Sequence, residues 1–504
     1  MIKLIHTLYT GLVELPQQMR WTYLPPLMVY LAAGISGLTA IVGTFFIKDY
    51  LNLSAAFLAS LSLVLTPTPQ GLDADVMTSA AVVLLAIALW STAVIPSVMG
   101  SLVFLLVAVV LAVAPPEVVF SGFHAGAIWL VFGGVVIGLG VKRSGLDTRL
   151  VNRFLARIPA TYLGVVYSIF FAAFMLAWIV PSASARVALL VPIMIALSER
   201  LGFKKGSKGQ TGLVLASAMG TMTPAFGILP ANVPNMALFG AIESIHGIRL
   251  TYGEYLLLNF PVLGIGALVL YPLVIGVLFK DQAEAAAPQE VPRKWSISER
   301  KLLAILVMAL ALWITDTWHG VSPAWVALGA ALLCLFPKIG LLQPKTLGAD
   351  IDLSPVIFLA GVIGLGAVAT HSGLGAFIAE KLLAVVELEP GADQRNYSLL
   401  VLVGSVIGLI TTMPAQPSIM VPMAEAMASA SGWSLMSAFM APVVTWSMFP
   451  FFYQAPPVVL AVALGDLRIS WVIKMLLAYM VVSTILLLPL HFLWGQYLGF
   501  FVGT

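Results

Sequence analysis

One cysteine, Cys334, leaves the chain without an intramolecular disulfide and without any cysteine-based metal set, and its six histidines are scattered. Charge is scarce. Asp, Glu, Lys and Arg together make up 9% of the residues, where a soluble domain carries about 25%. Carboxylates are almost absent from the apolar stretches. That removes the paired acids of a hydrolase and the Asp, Glu or His relay of a proton pump. No His-Glu-x-x-His and no Ser–His pairing is found, so an intramembrane enzyme is disfavoured. The net charge of +3 says little about partners, because its distribution across the loops matters more than the sum, and no nucleic-acid partner is expected. The first twenty residues lack a short apolar core followed by a small-residue cleavage site. Met1 to Arg20 therefore reads as an amphipathic lead-in to a first span at Trp21–Phe46.

Apolar residues, by contrast, make up 60% of the chain, and the mean hydropathy is +1.03. Further runs of spanning character begin near Thr78, Gly100, Gly126, Tyr255, Leu302, Pro323, Leu353 and Val472. The sequence predicts an all-α, multi-pass membrane protein. Lys280–Lys301 is the one clearly hydrophilic linker and divides the chain near its middle.

The two halves match. Ala88-Leu89-Trp90-Ser91-Thr92 pairs with Ala311-Leu312-Trp313-Ile314-Thr315, Ser144-Gly145-Leu146 with Ser372-Gly373-Leu374, and Val191-Pro192 with Val421-Pro422. The order is preserved at a spacing of about 225 residues, the mark of an internal repeat. Each half holds a polar, Pro-broken knot: Ile179-Val180-Pro181-Ser182-Ala183-Ser184-Ala185-Arg186 in the first, Ile410-Thr411-Thr412-Met413-Pro414-Ala415-Gln416-Pro417 in the second. Each knot is followed by a broken apolar segment, Thr211–Met236 or Leu435–Leu464. Unwound backbone at membrane depth must line a cavity or be buried in protein. Paired interruptions in two halves point to a carrier's binding site.

Loop charge orients the halves. Lys142, Arg143, Arg149, Arg153 and Arg157 precede the first knot, and Arg200, Lys204, Lys205 and Lys208 follow it. Basic loops stay cytoplasmic, so residues 158–200 should form a re-entrant hairpin with both ends inside. The equivalent loop of the second half is acidic, with Glu380, Glu387, Glu389 and Asp393. Its hairpin, 397–430, should enter from the opposite face. The expected organisation is a lead-in and first span over 1–77, a first inverted repeat over 78–279, a cytoplasmic linker over 280–301 and a second repeat over 302–504. The N-terminus is expected in the cytoplasm and Leu51–Leu65 at the outer interface.

The candidate site residues follow from these breaks. Ser182 and Ser184 either cap the following half-helix or also touch an anion held at its N-terminus. Arg186 lies in the apolar region, where a lone charge needs a partner. That partner is either an anionic substrate, gripped by the planar guanidinium fork, or hairpin carbonyls. Thr411, Thr412 and Gln416 offer neutral hydrogen bonds at the second tip, for substrate or for the broken backbone. Asn232 and Asn235, with Tyr453 and Gln454 in the other half, line the cavity or cap half-helices.

The tip Pro181–Arg186 with Pro192, the segment Gly220-Thr221 … Pro230-Ala231-Asn232-Val233-Pro234-Asn235, and Gly133-Gly134 … Ser144-Gly145-Leu146 resemble motifs of the divalent anion:sodium symporter (DASS) family, over roughly Thr78 to Leu490. The tip is similar to that of the citrate and dicarboxylate exchanger branch. The resemblance implies an inverted-repeat fold, a homodimer in the cell (inner) membrane, an elevator-like moving unit and di- or tricarboxylate substrates. An inorganic anion carrier of the same superfamily is the alternative. It also implies sodium ligands at Ser182, Ser184, Gly220, Thr221 and Thr412, with no other cofactor. The chain departs from the family's Ser-Asn-Thr tips, having Ala183 for Asn in the first and Thr412-Met413-Pro414 in the second.

Overall fold

The computed structural model describes residues 73–503, except 93–94, 147–148, 150–160, 179–181, 282–294, 338–339 and 344. The expected first span, the interfacial stretch Leu51–Leu65, Arg153 and Arg157, and most of the linker lie outside the described residues. The protein is helical across most of them, with one isolated bridge, Trp433 to Gly503, as its only extended pairing there.

The first half runs through α1 (Ala74–Thr92), α2 (Ser97–Val110), α3 (Gly126–Ser144), α4 (Tyr162–Ala177), α5 (Ala183–Arg200), α6 (Lys208–Met222), α7 (Val233–His246) and α8 (Tyr252–Leu278). The second runs through α9 (Ile297–Ile314), α10 (Pro323–Leu335), α11 (Ser354–His371), α12 (Leu374–Leu383), α13 (Asp393–Ile410), α14 (Gln416–Ser431), α15 (Leu435–Met440), α16 (Pro456–Gly465) and α17 (Ile469–Tyr497). Among the described residues α3, α8, α11 and α17 are long and apolar enough to cross a bilayer; several others are shorter.

Polar first turns explain why several helices start before their apolar runs. Thr161, Ser182, Ser207 and Thr251 each accept a backbone N–H three residues on. Ser296 and Glu299 form a reciprocal capping box that starts α9 ahead of Leu302.

The repeat is visible in detail. Gly145 closes α3 at φ 76° and Gly373 follows α11 at φ 75°, both in the left-handed region that glycine adopts freely. Ser144 and Ser372 make the same local turn, each accepting from the N–H two residues on (3.3 and 3.4 Å). In the last span of each half, the helix widens into one π-turn, at Phe260–Gly264 and at Ser483–Leu487.

Contacts sort the helix ends into two groups. At one end, Arg143 pairs with Asp350 (2.6 Å) and Arg149 grips Glu299 through two hydrogen bonds (2.8 and 3.1 Å). There too Tyr162 donates to the Gly209 carbonyl (3.4 Å), and the Gly209 N–H donates to Asp281 (3.0 Å). The start of α4, the start of α6 and the end of α8 therefore lie together. At the other end, the Tyr252 N–H donates to Asp316, and Trp494, near the end of α17, donates to the Leu257 carbonyl near the start of α8 (2.8 Å). The root of the second hairpin lies with this group, through Tyr397 and His491 (2.6 Å). The hairpin α4–α5 thus opens at one end of the bundle and α13–α14 at the opposite end.

Candidate functional site

Among the described residues, each hairpin tip lies on the break of its own half. The first tip ends at Ser182, whose side chain caps α5 by accepting from the Ala185 N–H (3.3 Å). Ser182 and Ser184 are half-buried, Ala183 is buried and Ala185 is exposed. The first break separates α6 from α7 by two short 3-10 turns, Pro224–Gly227 and Leu229–Ala231. Proline at positions 224, 230 and 234 withholds three N–H groups from any continuous helix.

Arg186 joins tip to break. It is 1% exposed. Its guanidinium donates to the carbonyls of Thr221 (2.5 Å) and Ala231 (3.3 Å) and to Asn232 Oδ1 (3.2 Å). Asn232, the N-cap residue of α7, donates in turn to the Met222 carbonyl (2.9 Å). Asn235 gathers the carbonyls of Ala225, Phe226 and Ile228 through its amide nitrogen (2.7–3.2 Å), leaving its buried Oδ1 without a partner. The Thr221 hydroxyl turns back to the Ala218 carbonyl of its own helix (2.8 Å). Gly220 lets α6 pass against α4: a Cβ there would sit 2.6 Å from the Phe170 carbonyl oxygen.

The second tip is built with neutral groups. Thr411 bonds back to the Ile407 carbonyl (3.0 Å), and Thr412 Oγ1 is buried without a partner. The Met413 N–H donates to the Gln454 carbonyl (2.9 Å), which fixes the tip to the second break. Gln416 donates to the Gly404 carbonyl (2.7 Å) and Thr445 (3.0 Å) and accepts from Trp446 Nε1 (2.6 Å). Gln454 reaches the Gly408 carbonyl of the opposite arm, and Tyr453 the Leu409 carbonyl (2.6 Å). Arg186 and Gln416, paired by the repeat, fasten the two tips in the same way, one with a charge and one without.

The two breaks meet where Phe226 and Trp446 lie with ring centroids 5.9 Å apart. Beside them is a cavity of about 10 Å³, lined by Gln416, Pro417, Trp446 and Leu238, with room for about one water. The N-termini of α5, α7, α14 and α16 all begin at these tips and breaks. Each carries the partial positive charge of a helix start, and in α14 and α16 the first turn is closed by prolines and by bonds such as Gln416 N–H to the Thr412 carbonyl (3.2 Å) and Val458 N–H to the Ala455 carbonyl (2.8 Å). Thr445, Trp446 and Ser447 were not singled out from sequence. They lie in the 3-10 run Ala441–Ser447 that follows α15 and opens the second break.

The sequence profile of the sodium:sulfate symporter transmembrane region matches residues 47–501. The chain belongs to this family, the DASS family. Its relatives are membrane transporters rather than enzymes. It is 26% identical over 372 residues to a membrane protein of Cupriavidus necator, covering 66% of this chain and 72% of that one. The inner membrane protein YbhI of Escherichia coli K12 is 25% identical over 373 residues, covering 70% and 77%. The L-tartrate/succinate antiporter of the same strain is 28% identical over 211 residues, 38% of this chain and 42% of that antiporter. Among solved structures, the YdaH transporter of Alcanivorax borkumensis matches 85% of this chain and 98% of its own, at TM-score 0.48 and 18% identity. The departures of this DASS member from the family's tips now have a place in the molecule. Where Asn is lacking in the first tip, the polar work at the break is done by Arg186 and Asn232.

Proposed function

We propose that this DASS protein exchanges small di- or tricarboxylates across the cell (inner) membrane, and that its first tip needs no sodium. One observation carries the reading: the Arg186 guanidinium already donates to the carbonyls of Thr221 and Ala231 and to Asn232 Oδ1. Oxygens gathered at a helix break are the ligands a hard cation takes. Here a fixed positive charge holds them. A carrier with a permanent charge at that place keeps its tip closed without a coupling ion, and exchange of one anion for another follows. The antiporter relative agrees with this direction. The second tip, with Thr412 and Ser447 unpartnered, is the place left for a substrate oxygen.

The substrate's carboxylates lie between the two tips, against Ser182, Ser184 and the half-helix N-termini. Arg186 acts from behind, bracing the break and contributing its field. The hairpins, breaks and last spans move as one unit, elevator fashion, against α3, α10 and their neighbours in a homodimer. Residues 142–149 and the linker face the cytoplasm, as does the N-terminus.

Proteoliposomes loaded with succinate test this. External labelled succinate should enter loaded vesicles far faster than empty ones. Equal entry into both would remove exchange. Entry inhibited by sulfate but not by dicarboxylates would favour the inorganic anion reading.

A further inference from the structure

The last spans of the two halves carry a hydrogen-bonded chain that the exchange reading does not use. Pro261 has no N–H to give the Leu257 carbonyl, and α8 widens there into its π-turn. Trp494 of α17 supplies the missing donor to Leu257 (2.8 Å). One turn earlier on α17, His491 faces Asn259 of the same bent stretch (3.2 Å). Asn259 Nδ2 donates to the Tyr255 carbonyl (3.0 Å), so its Oδ1 faces the imidazole and can only accept. His491 Nε2 therefore carries the proton. Nδ1 of the neutral ring then accepts from the Tyr397 hydroxyl (2.6 Å). Tyr255, in turn, donates its hydroxyl to the Phe226 carbonyl in the first break (2.8 Å). All four side chains are at most 2% exposed. A buried polar chain is retained at high cost unless every member is satisfied. This one is satisfied by a neutral imidazole in one tautomer. A second proton would set Nδ1–H against the Tyr397 hydroxyl and turn the phenol hydrogen away.

We propose that His491, neutral and protonated on Nε2, is a positioning residue that ties the root of the second hairpin to the first break. Tyr397 belongs to the root of the arm α13, Asn259 and Tyr255 to α8, and Phe226 to the break, so the chain joins the hairpin of the second half to the break of the first. It sets where the first break stands relative to the second hairpin, and thereby the affinity of the anion between them. The transport consequence rests on the exchange reading; the linkage itself does not.

The test is hydrogen exchange of segment 223–235 in the purified full chain, with succinate exchange measured in proteoliposomes. His491→Phe and the milder Tyr397→Phe should each speed amide exchange there by roughly tenfold, the factor that losing one buried hydrogen bond gives. His491→Gln, which can still donate to Asn259, should restore much of the protection. The succinate concentration at half-maximal rate should rise at least about threefold in the Phe variants, with the maximal rate within about twofold. Unchanged protection of 223–235 alongside a lower melting temperature would make His491 a core staple only and overturn the proposal. So would loosened protection with unaltered half-saturation. Absence of succinate exchange in the wild type would sink the exchange reading yet leave the hydrogen-exchange result to decide the linkage.

Discussion

At the scale of residues, the account turns on what Arg186 holds. Without the guanidinium, the carbonyls of Thr221 and Ala231 and the Asn232 amide oxygen lose their donor in a buried place. Each unsatisfied buried group costs about 1–3 kcal/mol. Arg186→Gln should therefore melt at least about 4 °C below wild type, since 1 kcal/mol moves the melting point of larger domains by about 2–4 °C. Arg186→Lys should recover only part, because an ammonium has three donors but no planar fork. Sodium should stabilise Arg186→Ala and leave wild-type melting unaltered, since only the variant has its oxygens released. Equal sodium effects on both proteins would show that the arginine does not occupy a cation's place. From sequence, a lone Arg in an apolar stretch announces that a partner exists. It does not say that the partner is the backbone of a break some 35–45 residues further on. Gln416 was legible only through its repeat partner, and Trp446, which makes its shortest hydrogen bond (2.6 Å), looked like one more apolar residue.

At the scale of elements, the hairpins are the testable unit. Tyr162, Gly209 and Asp281 lie together at one end, and Asp393, Trp433 and Gly503 lie together in the root of the other hairpin. In a Cys334→Ala background, cysteines at the exposed positions 142 and 204 should label from the same, cytoplasmic side, and one at 387 from the opposite side. Labelling of 142 and 204 from different sides would abolish the first hairpin. The clamp between Arg149 and Glu299 joins the loop after α3 to the capped turn that opens α9, ahead of its apolar stretch. Hydrogen bonding from Arg149, opposed by burial and aided by Ser296, lowers the Glu299 carboxyl to about 2. A carboxyl lowered in the fold stabilises fully above its unfolded value near 4.5 and loses that contribution as the pH falls toward 2. The melting temperature of wild type should therefore drop more steeply than that of Glu299→Gln between pH 5 and pH 3; parallel curves would show the clamp to be idle. Spans, breaks and knots were readable because apolar length and proline positions are local properties. Helix ends were less so. The run that begins near Val472 extends as helix to Tyr497, where His491 and Trp494 find partners on α8 that a hydropathy pattern does not reveal.

At the scale of the whole molecule, the inverted repeat and the family were both legible, since the repeat rests on matched motifs and the family on their order. Each tip is bonded to the break of its own half, and the two breaks meet at Phe226 and Trp446. What the motifs could not tell is how one charge at the first break replaces another. The central claim is that a guanidinium, rather than a bound sodium ion, holds the first tip. Its most direct test is the sodium dependence of succinate exchange by the wild-type protein in proteoliposomes, with sodium replaced by choline on both sides. The account predicts exchange at an undiminished rate in choline. A steep, saturable requirement for sodium, lost on return to choline, would contradict it.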